Sequence, residues 1–87
     1  MYLHLGNDIV VDLKSVVGIF DMDNTTVSYQ TREFLAKAQK NGMVVDVTED
    51  LPKSFIVASD GEKTNVYISS LASRTLYKRA KSNNIII

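Results

Sequence analysis

The stretch from Ser54 to Ser69 constrains the fold of this chain most. Two runs rich in β-branched and aromatic residues, Ser54-Phe55-Ile56-Val57-Ala58-Ser59 and Asn65-Val66-Tyr67-Ile68-Ser69, flank the turn pair Asp60-Gly61. Strand formers on either side of Asp-Gly predict an antiparallel β-hairpin, with room for a loop longer than two residues. Glu49-Asp50-Leu51-Pro52 breaks the chain just before it, and Pro52 suits an edge position or the start of a strand.

The rest of the sequence supplies elements to pack on that hairpin. Tyr2 to Leu5 alternates weakly, and Gly6-Asn7-Asp8 leads by a turn into Ile9-Val10-Val11, which predicts a second hairpin. Val16-Val17-Gly18-Ile19-Phe20 reads as a largely buried strand, and Met43-Val44-Val45-Asp46-Val47 as another. Between them, from about Gln30 to Asn41, Phe34, Leu35 and Ala38 share a helical face with Thr31, while Arg32, Glu33, Lys37 and Lys40 point away. Gly42 is the expected stop. A second helix follows the hairpin, capped by Ser69 or Ser70, with Leu71, Thr75 and Leu76, together with Ala72 and Ala80, as its inner face. The expected architecture is a single α+β domain over residues 1–87, mostly antiparallel strands with two α-helices, and not a regular parallel βαβ repeat.

Size and composition bear on what such a domain needs. The chain has 87 residues, 45% hydrophobic and 23% charged, which fits a globular domain and not a disordered one. It has no cysteine, so a disulfide framework and thiolate metal sites are excluded. A domain this small without covalent staples often gains stability by oligomerising, and a homo-oligomer is expected. The apolar triplet Ile85-Ile86-Ile87 is a frayed tail, or docks on its own core or a neighbour's, since burying each isoleucine is worth ~1.5–3 kcal/mol. No apolar run approaches the ~20 residues that span a bilayer, and Met1-Tyr2-Leu3-His4-Leu5 lacks the features of a signal peptide. The expectation is a cytoplasmic protein with no membrane partner.

Ten Lys and Arg balance ten Asp and Glu, but unevenly along the chain. Residues 1–30 set Lys14 against Asp8, Asp12, Asp21 and Asp23, a net −3, whereas residues 61–87 set Lys63, Arg74, Lys78, Arg79 and Lys81 against Glu62, a net +4. Arg74, Lys78 and Lys81 stand at i, i+4 and i+7, one face of the second helix near the negative end of its dipole. Such a patch is a solvated helix face in a monomer. Repeated around an oligomer it becomes a stripe able to meet many phosphates.

Catalytic patterns are few. Val16 to Phe20 followed by Asp21-Met22-Asp23-Asn24-Thr25 resembles the first motif of haloacid-dehalogenase-type phosphohydrolases, in which the first carboxylate attacks phosphorus and the second handles the proton beside Mg²⁺. That chemistry also needs a phosphate-binding cation and further carboxylates on a large parallel sheet, which 87 residues do not build. The plainer reading is a polar loop that caps the first helix. His4 is the single histidine and is expected on a strand. No Gly-rich phosphate loop or nucleophile–base set is present. Neither an enzyme, a metal, a cofactor nor a small-molecule substrate is expected.

Five segments in order, Tyr2-Leu3-His4-Leu5-Gly6, Val16 to Asp21, Arg32-Glu33-Phe34-Leu35, Gly42 to Thr48 and Ile68 to Leu76, together resemble the RemA/RemB regulators of extracellular-matrix and biofilm genes in Gram-positive bacteria, the RemB branch in particular. The resemblance covers residues 1 to about 80. It implies a small cytoplasmic DNA-binding protein without a cofactor, which assembles into ring-like oligomers and acts on promoter DNA along a basic rim. In the RemA branch, arginines after the second strand and before the fifth contact DNA. Lys14 stands at the first position, with the charge but not the two-bond arginine fork. At the second, Glu49-Asp50-Leu51-Pro52-Lys53 offers Lys53 alone, and its two acidic residues repel phosphate. The candidate contacts to double-stranded DNA are therefore Lys14, Lys53, Arg74, Lys78, Arg79 and Lys81, mainly to the backbone. A protein-interaction scaffold that touches no DNA is the alternative, on the strength of the neutral charge sum, Glu49-Asp50 and the apolar triplet.

Overall fold

The computed structural model describes residues 1–22, 29–48 and 51–85. The expectations for Asp23 to Ser28, for Glu49-Asp50 and for Ile86-Ile87 fall outside the described residues. Strands β1 (Tyr2–Gly6) and β2 (Ile9–Asp12) form an antiparallel hairpin, followed by a 3₁₀ turn at Leu13–Ser15. Then come β3 (Val16–Asp21), α1 (Tyr29–Lys40), β4 (Val44–Asp46), β5 (Ser54–Ser59), β6 (Thr64–Ser69) and α2 (Ser73–Ile85). The last four strands make one sheet in the order β3-β5-β6-β4. The fold is the expected α+β type, mainly antiparallel, although β4 pairs with β6 in parallel.

Local chemistry accounts for the turns. In the first hairpin Asn7 and Asp8 both take positive φ, 49° and 62°, the conformation that a tight two-residue turn demands and that these side chains tolerate. The Asp60 carboxylate accepts from the N–H groups of Glu62 and Lys63 at 3.0 and 2.8 Å and shapes the loop between β5 and β6. Gly42, with φ of 71°, ends α1 as the sequence predicts.

Three layers result. On one face of the sheet Leu3, Leu5 and Val11 of the hairpin and Leu76 of α2 are buried against Ile19, Val47 and Ile56. On the other, Ala38 of α1 is buried with Phe55 and Val66, and Leu35, Met43, Val57 and Ile68 pack around them. Alternation along β5 explains the split: Phe55 and Val57 point to the α1 side, Ile56 to the α2 side. Buried serines tie the layers together. Ser69 Oγ donates to the Leu5 carbonyl at 2.7 Å, and Ser54 Oγ to the Leu71 carbonyl at 2.8 Å.

Of the two readings of Pro52 the start of a strand holds, since it stands just before β5, a strand inside the sheet. Three expectations need correction. Strand β3 is one of the two edges, and Val17 is 70% exposed where a buried strand is expected, because a bulge inserts it between Val16 and Gly18. Helix α2 starts at Ser73, after Leu71 and Ala72, since Ser69 is spent on Leu5 and on the Leu71 N–H at 3.0 Å. Phe34, placed on the inner face of α1, is 40% exposed beside that open edge.

Candidate nucleic-acid interface

The basic residues occupy defined positions around α2. Arg74, Lys78, Arg79 and Lys81 are all exposed on it. Arg74, Lys78 and Lys81 keep the helical spacing that aligns them. Arg79 leaves this row: its Nη1 donates to the His4 carbonyl on β1 at 3.2 Å, which holds the guanidinium over the hairpin. His4 itself is exposed on the outer face of β1.

Lys14 and Lys53 come from far in sequence. Lys14 is exposed in the 3₁₀ turn, where its N–H donates to Asp12 Oδ1 at 3.0 Å and Ser15 Oγ donates to the Asp12 carbonyl at 2.7 Å. This turn forms one side of a groove of about 620 Å³, and Tyr77 and Ala80 of α2 form another. Lys53 is exposed just before β5; its N–H donates to the Ser69 carbonyl, and its own carbonyl accepts from the Met22 N–H, both at 2.9 Å. Next to it, Ser54 is bonded to Leu71, two residues before α2. The fold therefore brings Lys53 toward the start of α2 and Lys14 to the groove beside its middle, while the helix carries the other four.

Asp21 is exposed at the end of β3, an edge strand antiparallel to its single neighbour, and Asp23 is outside the described residues. Among the described residues no group of three or more His, Asp or Glu side chains is placed to hold a metal ion. No described helix is long and apolar enough to cross a membrane. Asp46 and Asp60 have carboxyls held below the usual range, Asp46 by the Thr48 hydroxyl and N–H, Asp60 by the N–H groups of Lys63 and Glu62. Both are turn-forming carboxylates.

One feature escapes the sequence reading: apolar surface on both sides of the β3 edge. The Phe20 ring stacks on Phe55 at 4.9 Å between centroids and 18° between planes, and lies so close over Gly18 that a Cβ there would be 2.6 Å from it. Val17, Phe20 and Phe34 border a second groove of about 320 Å³ on the α1 side. The signal available was Gly18 two residues before Phe20, a gap in one strand face that an aromatic ring can fill.

Residues 2–80 match the model of a family described as RemA-like, extracellular matrix regulatory protein A-like. The chain belongs to this RemA-like family. It is also similar to the extracellular matrix regulatory protein B of Bacillus subtilis (strain 168), with 44% identity over 81 residues, or 93% of this chain and 91% of that relative. The expected RemB-branch membership is thereby shown. The match spans every strand and most of α2, so Arg74, Lys78 and Arg79 belong to the part of the chain that the RemA-like family covers, and Lys81 lies just beyond it.

Proposed function

We propose that the chain is a cytoplasmic, oligomeric DNA-binding regulator of extracellular-matrix and biofilm genes that holds duplex DNA mainly by its phosphates. One observation carries this reading: Arg74, Lys78 and Lys81 are exposed in one row of α2, with Lys14 across the groove that this helix borders. The row spans ~10 Å along the helix axis. Three cations on one subunit bind phosphate weakly, and several subunits acting together turn that into firm but sequence-tolerant attachment. The name of the Bacillus subtilis relative supports matrix regulation as the biological setting.

The test is a fluorescence-anisotropy titration with a labelled duplex of ~30 bp at low and moderate salt, alongside light scattering for subunit number. A multimer whose affinity falls steeply with salt is expected, since each phosphate contact adds ~0.9 to the log–log slope. Replacing Arg74, Lys78 and Lys81 together by Ala should weaken binding to every sequence and flatten that slope. Equal binding by the triple variant rejects the assignment.

The exposed apolar edge at Val17, Phe20 and Phe34 favours a second reading, a scaffold that binds a protein and no DNA. Its contacts would hold or strengthen with added salt, the opposite of phosphate binding.

A further inference from the structure

We infer that the outer face of the first hairpin binds single-stranded RNA, with successive bases stacked on Tyr2 and His4 and a phosphate beside them held by Arg79. Burial sets up this face. Leu3 and Leu5 are buried, so alternation along β1 turns Tyr2 and His4 the other way, and both are exposed, Tyr2 by 66%. Side chains two residues apart on a strand stand ~6.8 Å apart, twice the ~3.4 Å rise per nucleotide of a stacked strand. An unstacked step in a single strand fits that spacing, and the closed stack of a duplex does not. The support under the rings is fixed, because Leu3, Leu5 and Val11 are anchored in the core and Ser69 Oγ holds the Leu5 carbonyl.

Charge selects a polyanion for this face. The bond from Arg79 Nη1 to the His4 carbonyl at 3.2 Å uses one N–H donor of the guanidinium and fixes the group beside β1. The rest of the exposed fork is thereby positioned for a phosphate before any ligand arrives. Two carboxylates lie on the hairpin. Asp12, which pairs with Tyr2 across the ladder, has its Oδ1 engaged by the Lys14 N–H at 3.0 Å in the turn that follows, and Asp8 sits in the turn at the other end. The polar groups of the rings select RNA over DNA. The Tyr2 hydroxyl and the His4 ring nitrogens donate to or accept from a 2′-OH at the edge of a stacked base, and DNA lacks that hydroxyl. This surface is distinct from the row proposed for duplex phosphates, since Arg74, Lys78 and Lys81 align on α2 while Arg79 leaves them for β1.

The test is a fluorescence-anisotropy titration of the full chain at low salt against three labelled probes: a single-stranded RNA of ~12 nucleotides, the DNA strand of the same sequence, and a DNA duplex. The RNA is expected to bind more tightly than the DNA strand. Tyr2→Leu and His4→Leu keep apolar bulk but remove a ring, and neither side chain belongs to the buried core, so circular dichroism should show both variants folded. Each should weaken RNA binding ~5- to 150-fold, the loss of one stacked base, and leave duplex binding unchanged. Tyr2→Phe should keep the stacking and narrow the preference for RNA over DNA. Unchanged RNA affinity in both Leu variants, a DNA strand bound as tightly as RNA, or a folded chain that does not bind the RNA would each overturn the inference. Equal losses of RNA and duplex affinity in the Leu variants would overturn it as well, by merging the two surfaces. Absence of duplex binding alone would instead remove the reading of the α2 row and leave this one standing.

Discussion

The Tyr77 hydroxyl donates to the Ile19 carbonyl oxygen at 2.8 Å, fastening α2 to the open edge of the sheet. The Met22 N–H bonds the Lys53 carbonyl, so alternation in the antiparallel register pairs Phe20 with Phe55 through hydrogen bonds and turns the Ile19 backbone groups outward. An outward carbonyl on an apolar edge strand is an invitation to another strand. Tyr77 occupies it, and the Val17 bulge breaks the straight run beside it.

Tyr77→Phe removes that bond and leaves the ring in place. A loss of about 0.5–1.5 kcal/mol in unfolding free energy is expected, with faster amide exchange along β3 than elsewhere in the sheet. Chemical denaturation and hydrogen exchange measure the two effects. Unchanged exchange at β3 would show that the hydroxyl does not guard the edge.

Leu76 is fully buried where the hairpin, the sheet and α2 meet. Leu76→Ala should cost ~2–5 kcal/mol, a large part of what a domain of this size possesses. A midpoint shift in urea smaller than that of Tyr77→Phe would contradict this packing.

Gly18→Ala places a methyl group against the Phe20 ring. Because Phe20 is half-exposed the ring can swing aside, so the expected cost is the stacking on Phe55, about 0.5–1.5 kcal/mol, and not a misfolded strand. Near-ultraviolet circular dichroism and a melting curve test this. A loss far above that range would mean that the ring is held in place.

Arg79 and Lys78 should separate structure from DNA contact. Arg79→Ala loses the bond to the His4 carbonyl and is expected to lower the melting temperature as well as DNA affinity. Lys78→Ala should lower affinity alone. Equal melting temperatures for the two variants would remove the structural role of Arg79.

The Asp46 and Asp60 carboxyls, lowered by bonds to Thr48 and to Lys63 and Glu62, give the acid side of the stability profile its sign. A carboxyl depressed in the folded chain adds stability above its ordinary value near 3.8, and that contribution is lost as pH falls through the lower, folded value. Asp60→Ala should therefore be less stable than wild type at pH 6, with the difference shrinking below about pH 4. A difference independent of pH would mean that the ionised carboxylate is not what holds the loop.

Both hairpins were legible in the sequence because Asn7-Asp8 and Asp60-Gly61 are local devices whose conformations need no tertiary help. The stop at Gly42 was legible for the same reason. Which strand lies at an edge was not, since an apolar run such as Val16 to Phe20 reports the side chains and not how many neighbours the backbone has. The parallel pairing of β4 with β6 was hidden too, because it depends on which way α1 returns the chain. For the candidate interface, the row of cations on α2 followed from helical spacing. The approach of Lys14 and Lys53 to that helix is set by contacts between residues far apart in sequence.

The layer that joins the first hairpin to the last helix also sets an order on biosynthesis. Leu3, Leu5 and Val11 are made first but find their cover in Leu76, while the bond from Ser69 to Leu5 spans 64 residues. A ribosome must deliver nearly the whole domain before those side chains leave water. Until then β5 and β6 can close locally, while the hairpin waits as an apolar surface open to chaperones or to other nascent copies on the same message.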